Sequence, residues 1–383
     1  MSAVQWSAGQ EHALREVAQW HAQCMAERRA SRRLSRQIFR VFGFAGVGKT
    51  KLAKSFADDV GGDVFYGAFT GKAALQLRKA GCLGASTIHA LIYSVKKNPK
   101  TGETKFKLNM DCGLDKAALL VIDEVSMVDE ELARDLLSFG CPVLVLGDPA
   151  QLPPVKGTGF FIAAEPDVML TEVHRQALDN PIVRMSMDVR EGRGLQPGTY
   201  GKSRVILRQT ADPDELRELV LEADQLICGL NRTRVAFNNR IRSLKGLCGD
   251  ARRWEPSAGD RVICLKNDRE KAIFNGGMWN VDKVTPTTNA FRLLVSSLDE
   301  KRAPLHVSVR EEFFIGNDKE LDWRIKKQTD QFTFGWGITC HKAQGSAWDN
   351  VIAFDEGAAF GDASDKWLYT ACTRAAEKLT LVL

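Results

Sequence analysis

An α/β fold in two units, each a parallel sheet covered by helices, is predicted by three features of the 383-residue sequence. Short apolar runs recur between stretches of helical pattern. One of those runs leads into a glycine-rich loop and then a helix, and another ends in two adjacent carboxylates.

Taken in order, Ser7 and Gln10 have capping-box spacing at the start of a helix. Arg28, Arg29, Arg32, Arg33, Arg36 and Arg40 crowd the approach to the first strand. They suit either phosphate contact or a solvated helix face. Residues 38–42 form the first apolar run. Gly43-Phe44-Ala45-Gly46-Val47-Gly48-Lys49-Thr50 follows, and residues 51–60 have the pattern of a helix.

This G-x-x-x-x-G-K-[ST] loop between strand and helix is a phosphate cradle. Gly43, Gly46 and Gly48 let backbone N–H groups turn inward, Lys49 reaches the outer phosphates, and the Thr50 hydroxyl suits a magnesium ion. The following helix directs its positive end at the same place. A nucleoside triphosphate with Mg2+ is the expected ligand.

Further strands are expected at 64–69, 119–122 and 143–146. The third of these four runs ends in Val121-Ile122-Asp123-Glu124. Asp123 is placed to hold magnesium through water, and Glu124 to orient or deprotonate an attacking water. The alternative is a pair of solvated turn acids. After the fourth run, Gln151 in Gly147-Asp148-Pro149-Ala150-Gln151 is a candidate sensor of the γ-phosphate or a plain loop residue. Arg175 and Arg374 are candidates to stabilise transition-state charge, a role worth roughly 10³–10⁵ in rate, or are ordinary surface arginines.

A second set of runs at 225–230, 351–354 and 379–383 has no second phosphate loop, so the second unit is expected to serve the first. Two segments break the alternation. Residues 93–108, centred on Asn98-Pro99-Lys100-Thr101-Gly102, read as a β-hairpin. Residues 256–331 carry short strands with glycine and asparagine turns and read as a small inserted β-barrel.

Composition narrows the class. An apolar content of 44% fits a globular protein, and no apolar run approaches the length of a membrane span. The N-terminus lacks the parts of a signal peptide, so a cytoplasmic location without membrane is expected. Nine cysteines without a C-x-x-C pair suit dispersed packing thiols rather than disulfides or a zinc site. A net charge of +5 says little about partners at this size.

Together these segments resemble the ordered motifs of superfamily 1 helicases, most closely the RecD-like and Dda-like 5′-to-3′ branch, superfamily 1B. The resemblance runs from Gln10 to Arg374. It includes Thr70-Gly71-Lys72-Ala73-Ala74, Ser86-Thr87-Ile88-His89, Asp123-Glu124-Val125-Ser126-Met127, His174-Arg175-Gln176, Thr339-Cys340-His341-Lys342-Ala343-Gln344-Gly345-Ser346 and Tyr369 to Arg374.

The resemblance implies two RecA-like P-loop domains, 1–175 and 176–255 with 332–383. The 93–108 hairpin would be a separation pin, and 256–331 an SH3-like domain. It implies that Gln10 contacts adenine, that Gly345 belongs with the nucleotide, and that Arg175 and Arg374 reach the γ-phosphate across a cleft. Thr70, Lys72, Thr87, His89, Thr339 and His341 would track single-stranded DNA, mainly through phosphates, so binding would be salt-sensitive and largely sequence-blind. Phe106 would either stack on a base or pack the hairpin onto its own domain.

Phe69 stands where relatives frequently carry proline. The short chain, without the N-terminal domain of RecD subunits, argues against membership of a nuclease complex. The expected activity is an ATP-dependent DNA helicase acting on single strands and single-strand/duplex junctions, with replication or recombination proteins as potential partners. An RNA helicase and an ATP-switched loading factor stay open as alternatives. A GTPase is disfavoured because no N-K-x-D guanine reader is present.

Overall fold

The computed structural model describes residues 6–97, 104–154, 159–172, 179–248, 254–268, 271 and 273–383. The chain divides into two compact units, Met1–Val183 and Arg184–Leu383.

The first unit opens with the 22-residue helix α1 (Ala8–Arg29), which Ser7 and Gln10 start through a full capping box. Strand β1 (Ile38–Gly43) leads into α2 (Lys49–Asp59), then β2 (Val64–Ala68), α3 (Gly71–Lys79), β3 (Ser86–Thr87) and α4 (Ile88–Ile92). A hairpin of β4 (Tyr93–Lys97) and β5 (Thr104–Leu108) follows, paired antiparallel from Tyr93 opposite Leu108. Then come β6 (Leu119–Asp123), α5 (Glu130–Leu137), β7 (Val143–Gly147) and β8 (Val168–Leu170).

The sheet order is β3-β2-β6-β7-β1-β8, and all of these strands run parallel. Both faces are covered, so the strands are apolar without alternation, as buried parallel strands must be. Their side chains still divide by pleat. Leu119, Val121, Leu144 and Leu146 pack with α1, α2 and α3. Leu120, Ile122, Val143 and Val145 pack with α4 and α5. Parallel pairing places every strand's C-terminal end on one edge, and the loops that leave this edge carry the site.

In the second unit a sheet of order β17-β11-β18-β19-β10-β9 is formed by β9 (Gly198–Tyr200), β10 (Ser203–Ile206), β11 (Gln225–Cys228), β17 (Gly337–Thr339), β18 (Trp348–Phe354) and β19 (Ala375–Val382). It is parallel except for the edge strand β9. Between β11 and β17 the chain builds a five-stranded antiparallel sheet, β15-β14-β13-β12-β16. Its strands are β12 (Arg261–Cys264), β13 (Met278–Thr287), β14 (Ala290–Ser297), β15 (Leu305–Arg310) and β16 (Phe332–Phe334). It has its own core, including Trp279, Phe291, Phe314, Phe332 and Phe334.

The buried Arg242, in the helix Asn231–Leu244, holds this sheet to the unit. Its guanidinium meets Asp260 bidentately at 2.7 and 2.9 Å and lies 3.9 Å from the Phe334 ring centroid.

Strands β3, β8, β9, β10 and β17 are two to four residues long, too short to show a period in the sequence. All nine cysteines are free and seven are buried, as packing thiols are. The arginines before and within β1 divide in role. Arg28 donates to the carbonyls of Asp115 and Ala117, Arg36 pairs with Asp167, and Arg40 donates to the Phe161 carbonyl. Arg29, Arg32 and Arg33 are exposed. Among the described residues no helix is long and apolar enough to cross a membrane.

Candidate nucleotide site

The glycine-rich loop leaves the C-terminal end of β1 and ends at Gly48, in the left-handed region at φ 77°, immediately before the first residue of α2. Gly46 is also left-handed, at φ 81°. Gly43 is required for a different reason. A Cβ there would lie 2.7 Å from Val47 Cγ2 and 2.9 Å from the Leu170 carbonyl oxygen, closer than side chains tolerate.

Lys49 folds back over this loop, donating from Nζ to the carbonyls of Gly43 at 2.7 Å and Phe44 at 3.0 Å. Its charge is thereby held at the mouth of the cradle. Thr50 donates from Oγ1 to Asp123 Oδ2 at 2.6 Å, across 73 residues of sequence. A hydroxyl and a carboxylate this close are hard oxygen donors, the set magnesium prefers. The other carboxylate oxygen of Asp123 accepts the backbone N–H of Glu124 at 2.8 Å. Glu124 itself has φ 54°, ψ 49°. A left-handed conformation costs a residue with a Cβ about 1–2 kcal/mol, and such outliers gather at functional sites.

Gln10 is 2% exposed and is held from two sides. Its Oε1 accepts from Ser7 N at 3.1 Å to complete the capping box, while Nε2 donates to the Val47 carbonyl at 2.9 Å. The start of α1 is therefore tied to the phosphate loop. Gln151 follows the C-terminal end of β7, the strand beside β1, on the same edge of the sheet. Among the described residues its Oε1 is buried without a protein hydrogen bond, as is Ser126 Oγ. Each such orphan costs about 1–3 kcal/mol unless a ligand or water meets it.

The residues expected on a DNA track have local duties as well. Thr70 caps α3 by accepting from Ala73 N at 3.1 Å, and the buried Thr87 caps α4 by accepting from Ala90 N at 3.2 Å. They leave neighbouring strands on the loop edge, where Ala68 pairs with Thr87. Lys72, the second residue of α3, is buried. His89 meets the Phe69 ring edge-on at 6.2 Å and lies 5.8 Å from the ring of Tyr93, the first residue of the hairpin.

In the second unit Thr339 ends β17 and is buried. His341 lies 5.7 Å from the Phe360 ring, and Gly345 is left-handed at φ 72°. Arg374 is 5% exposed and turned onto its own unit. It donates to the carbonyls of Thr370 and Ser346, both at 3.2 Å, and to Thr373 Oγ1 at 3.1 Å. Arg175 and the side chain of Phe106 lie outside the described residues.

The first unit thus gathers Gly43, Gly46, Gly48, Lys49, Thr50, Asp123 and Glu124 around one cradle, with Gln10 fastened to its rim. The Val47 carbonyl that fastens it carries no sequence signal, because a backbone acceptor has none.

A phosphate loop on the C-terminal edge of a parallel sheet, with lysine, hydroxyl and carboxylate converging on it, defines a P-loop nucleotide-binding protein. Residues 6–208 match a family model described as an AAA domain, and residues 334–382 one described as a UvrD-like helicase C-terminal domain. The ATP-dependent RecD2 DNA helicase of Deinococcus radiodurans is 30% identical over 361 aligned residues, covering 88% of this chain and 45% of that protein. The ATP-dependent DNA helicase dda of phage T4 is 34% identical over 168 residues, 39% of this chain and 37% of that one. The chain therefore spans less than half the length of either relative. Bacteroides Pif1 bound to ssDNA shares the fold, with a TM-score of 0.58 at 18% identity over 98% of this chain and 92% of that one. The chain belongs to this AAA-domain family and, within it, to the superfamily 1B helicases of the RecD, Pif1 and Dda type.

Proposed function

We propose that this chain is an ATP-driven motor that moves 5′ to 3′ along single-stranded DNA and unwinds duplex, hydrolysing ATP in a cleft between two RecA-like domains. The observation that carries the reading is the 2.6 Å contact of Thr50 with Asp123 beside the Lys49-lined cradle. The names of the relatives, ATP-dependent DNA helicases, and a related Pif1 structure bound to ssDNA support it.

Thr50 and Asp123 are the residues that would hold Mg2+, which when bound neutralises phosphate charge. Lys49 takes the outer phosphates, Glu124 orients or deprotonates the attacking water, and Gln151 senses the γ-phosphate. Arg175 and Arg374 stabilise transition-state charge. Gln10 sits at the base and Gly345 with the nucleotide. Thr70, Lys72, Thr87, His89, Thr339 and His341 hold the single strand, with Phe106 at the junction.

In this reading residues 1–175 form the first RecA-like domain, with 93–108 as its pin. Residues 176–255 and 332–383 form the second, and 256–331 an SH3-like domain. A cytoplasmic setting and contacts with replication or recombination proteins belong to the same proposal.

Strand displacement from duplexes with a 5′ or a 3′ single-stranded tail tests it. Unwinding is expected from the 5′ tail, with none for Lys49→Ala. Preference for the 3′ tail overturns the polarity, activity confined to RNA duplexes overturns the substrate, and the absence of DNA-stimulated ATP turnover overturns the motor.

A further inference from the structure

The hairpin of β4 and β5 pairs with no further strand among the described residues, so no lateral ladder fixes the direction in which it leaves the first unit. A two-stranded hairpin by itself is only marginally stable in water. Its direction is set at the root. There α4 runs straight into Tyr93, whose N–H bonds the His89 carbonyl, and Asn109 N donates to the Ile92 carbonyl at 2.8 Å. Tyr93 and Leu108, opposite each other in the hairpin, pack against the core cluster that includes Ile92, Leu132 and Leu136.

A polar bond adds to this packing. The Tyr93 phenol donates to Asp135 Oδ2 at 2.5 Å, across 42 residues of sequence. Asp135 lies on α5, the helix that follows the Asp123-Glu124 turn. Burial first, and then the bond to Asp135, push the phenol's pKa well above its ordinary value, so it stays a donor. The Tyr93 ring also lies 5.8 Å from His89, which in turn meets Phe69, the residue after β2. The root is thereby tied to segments that leave two strands of the nucleotide-site sheet, β6 and β2.

Apolar packing at this place needs only a phenylalanine. The hydroxyl adds direction, because a hydrogen bond has a preferred angle and apolar burial has none. Direction matters at this length. The five residues of β4, at about 3.3 Å each, make an arm of about 17 Å. A tilt of about 10° at the root moves the far end by about 3 Å, nearly the roughly 3.4 Å between successive base pairs.

We propose that Tyr93 and Asp135 are a positioning pair that sets the direction of the hairpin, so that strand separation depends on their bond while nucleotide turnover and single-strand binding do not. The proposal rests on the reading of the hairpin as a pin, and it assigns a role to two residues that no motif contains.

The test uses the full chain with Tyr93→Phe and Asp135→Ala, singly and together, with Asp135→Asn, and with residues 95–106 replaced by two glycines. Unwinding of a 5′-tailed duplex, ATP turnover on oligo-dT, oligo-dT affinity by anisotropy and thermal unfolding are measured for each. Misplacement by about 1 Å costs a positioned reaction up to about 10²-fold, so Tyr93→Phe and Asp135→Ala are each expected to lose about tenfold in base pairs opened per ATP. Turnover and affinity are expected to stay within about twofold, and the double variant to be no worse than either single, since one bond is removed in all three. Asp135→Asn retains an acceptor and is expected to keep most of the coupling.

Unchanged base pairs opened per ATP in both single variants, beside a hairpin-trimmed chain that does not unwind, overturns the pair and leaves the pin. A hairpin-trimmed chain that unwinds as well as the wild type overturns the pin reading and the pair with it. Unwinding and turnover that fall by the same factor, with a lower melting temperature, assign the bond a purely structural role and overturn the proposal. A loss in Asp135→Asn equal to that in Asp135→Ala assigns the effect to the carboxylate's charge and overturns the hydrogen bond as its cause.

Discussion

Replacing Asp260 by asparagine keeps the shape of the side chain and removes one charge from a pair that is 0% exposed on both sides. Arg242 then keeps its place over Phe334 and its bond to the Glu255 carbonyl, but loses the charge of Asp260. Asp260 also accepts from Ser257 N at 2.8 Å and from Trp336 Nε1 at 3.4 Å, so the substitution disturbs the start of β12 and the approach to β17 together. Breaking a buried pair from one side costs about 3–5 kcal/mol. With a urea slope of about 2 kcal/mol/M, the second unit's midpoint falls by about 1.5–2.5 M. Circular dichroism in urea reads this directly. The double change Arg242→Met, Asp260→Leu should recover at least half of the loss, because apolar replacement of both partners is often nearly neutral. A loss below about 1 kcal/mol, the value of an exposed pair, or a double variant as unstable as the two single losses added, refutes the reasoning.

Glu124→Gly releases the left-handed strain and is expected to raise stability by about 1 kcal/mol while cutting DNA-stimulated ATP turnover by about 10²–10⁴-fold. Urea unfolding and a steady-state ATPase assay measure the two effects. Gln10→Ala removes one half of the capping box and the bond to Val47, an expected cost of about 1–2 kcal/mol, with KM for ATP rising more than kcat falls. An unchanged KM would disconnect the tie from the cradle. His21 is pulled below its ordinary value of 6.5 by burial, partly opposed by the Ala118 carbonyl 3.0 Å from Nε2. Below pH 6.5 the unfolded chain takes up a proton that the folded chain resists, so this contribution is full above pH 6.5 and lost as the pH falls. Urea unfolding at high and low pH should show a smaller loss for His21→Gln than for the parent. Equal losses would assign the pH dependence to other groups.

Much of the first unit was legible because its strands are long enough to be uniformly apolar and are separated by turns and helices. Residues 38–42, 119–122 and 143–146 all fall inside observed strands. The short strands β3, β8, β9, β10 and β17 were not legible, since their place in the sheet is set by neighbours. Capping was legible at Ser7 and Gln10 because it is a short-range pattern. The second duty of Gln10, on Val47, was not. Arg374 stood out through its motif, yet nothing in the motif foretold that three oxygens of its own unit would receive its guanidinium.

The sequence alone determined the phosphate loop, because its chemistry needs eight consecutive residues whose backbone freedom and side chains are local properties. It also determined the α/β alternation, which is a matter of period. Tertiary structure decided which distant groups meet that loop. The sheet order sets β7 between β1 and β6, and with α2 packed across them Thr50 finds Asp123. The burial of Arg242 with Asp260 was decided in the same way. Burial and electrostatic repulsion depend on what surrounds a charge, and those surroundings exist only once the chain has folded.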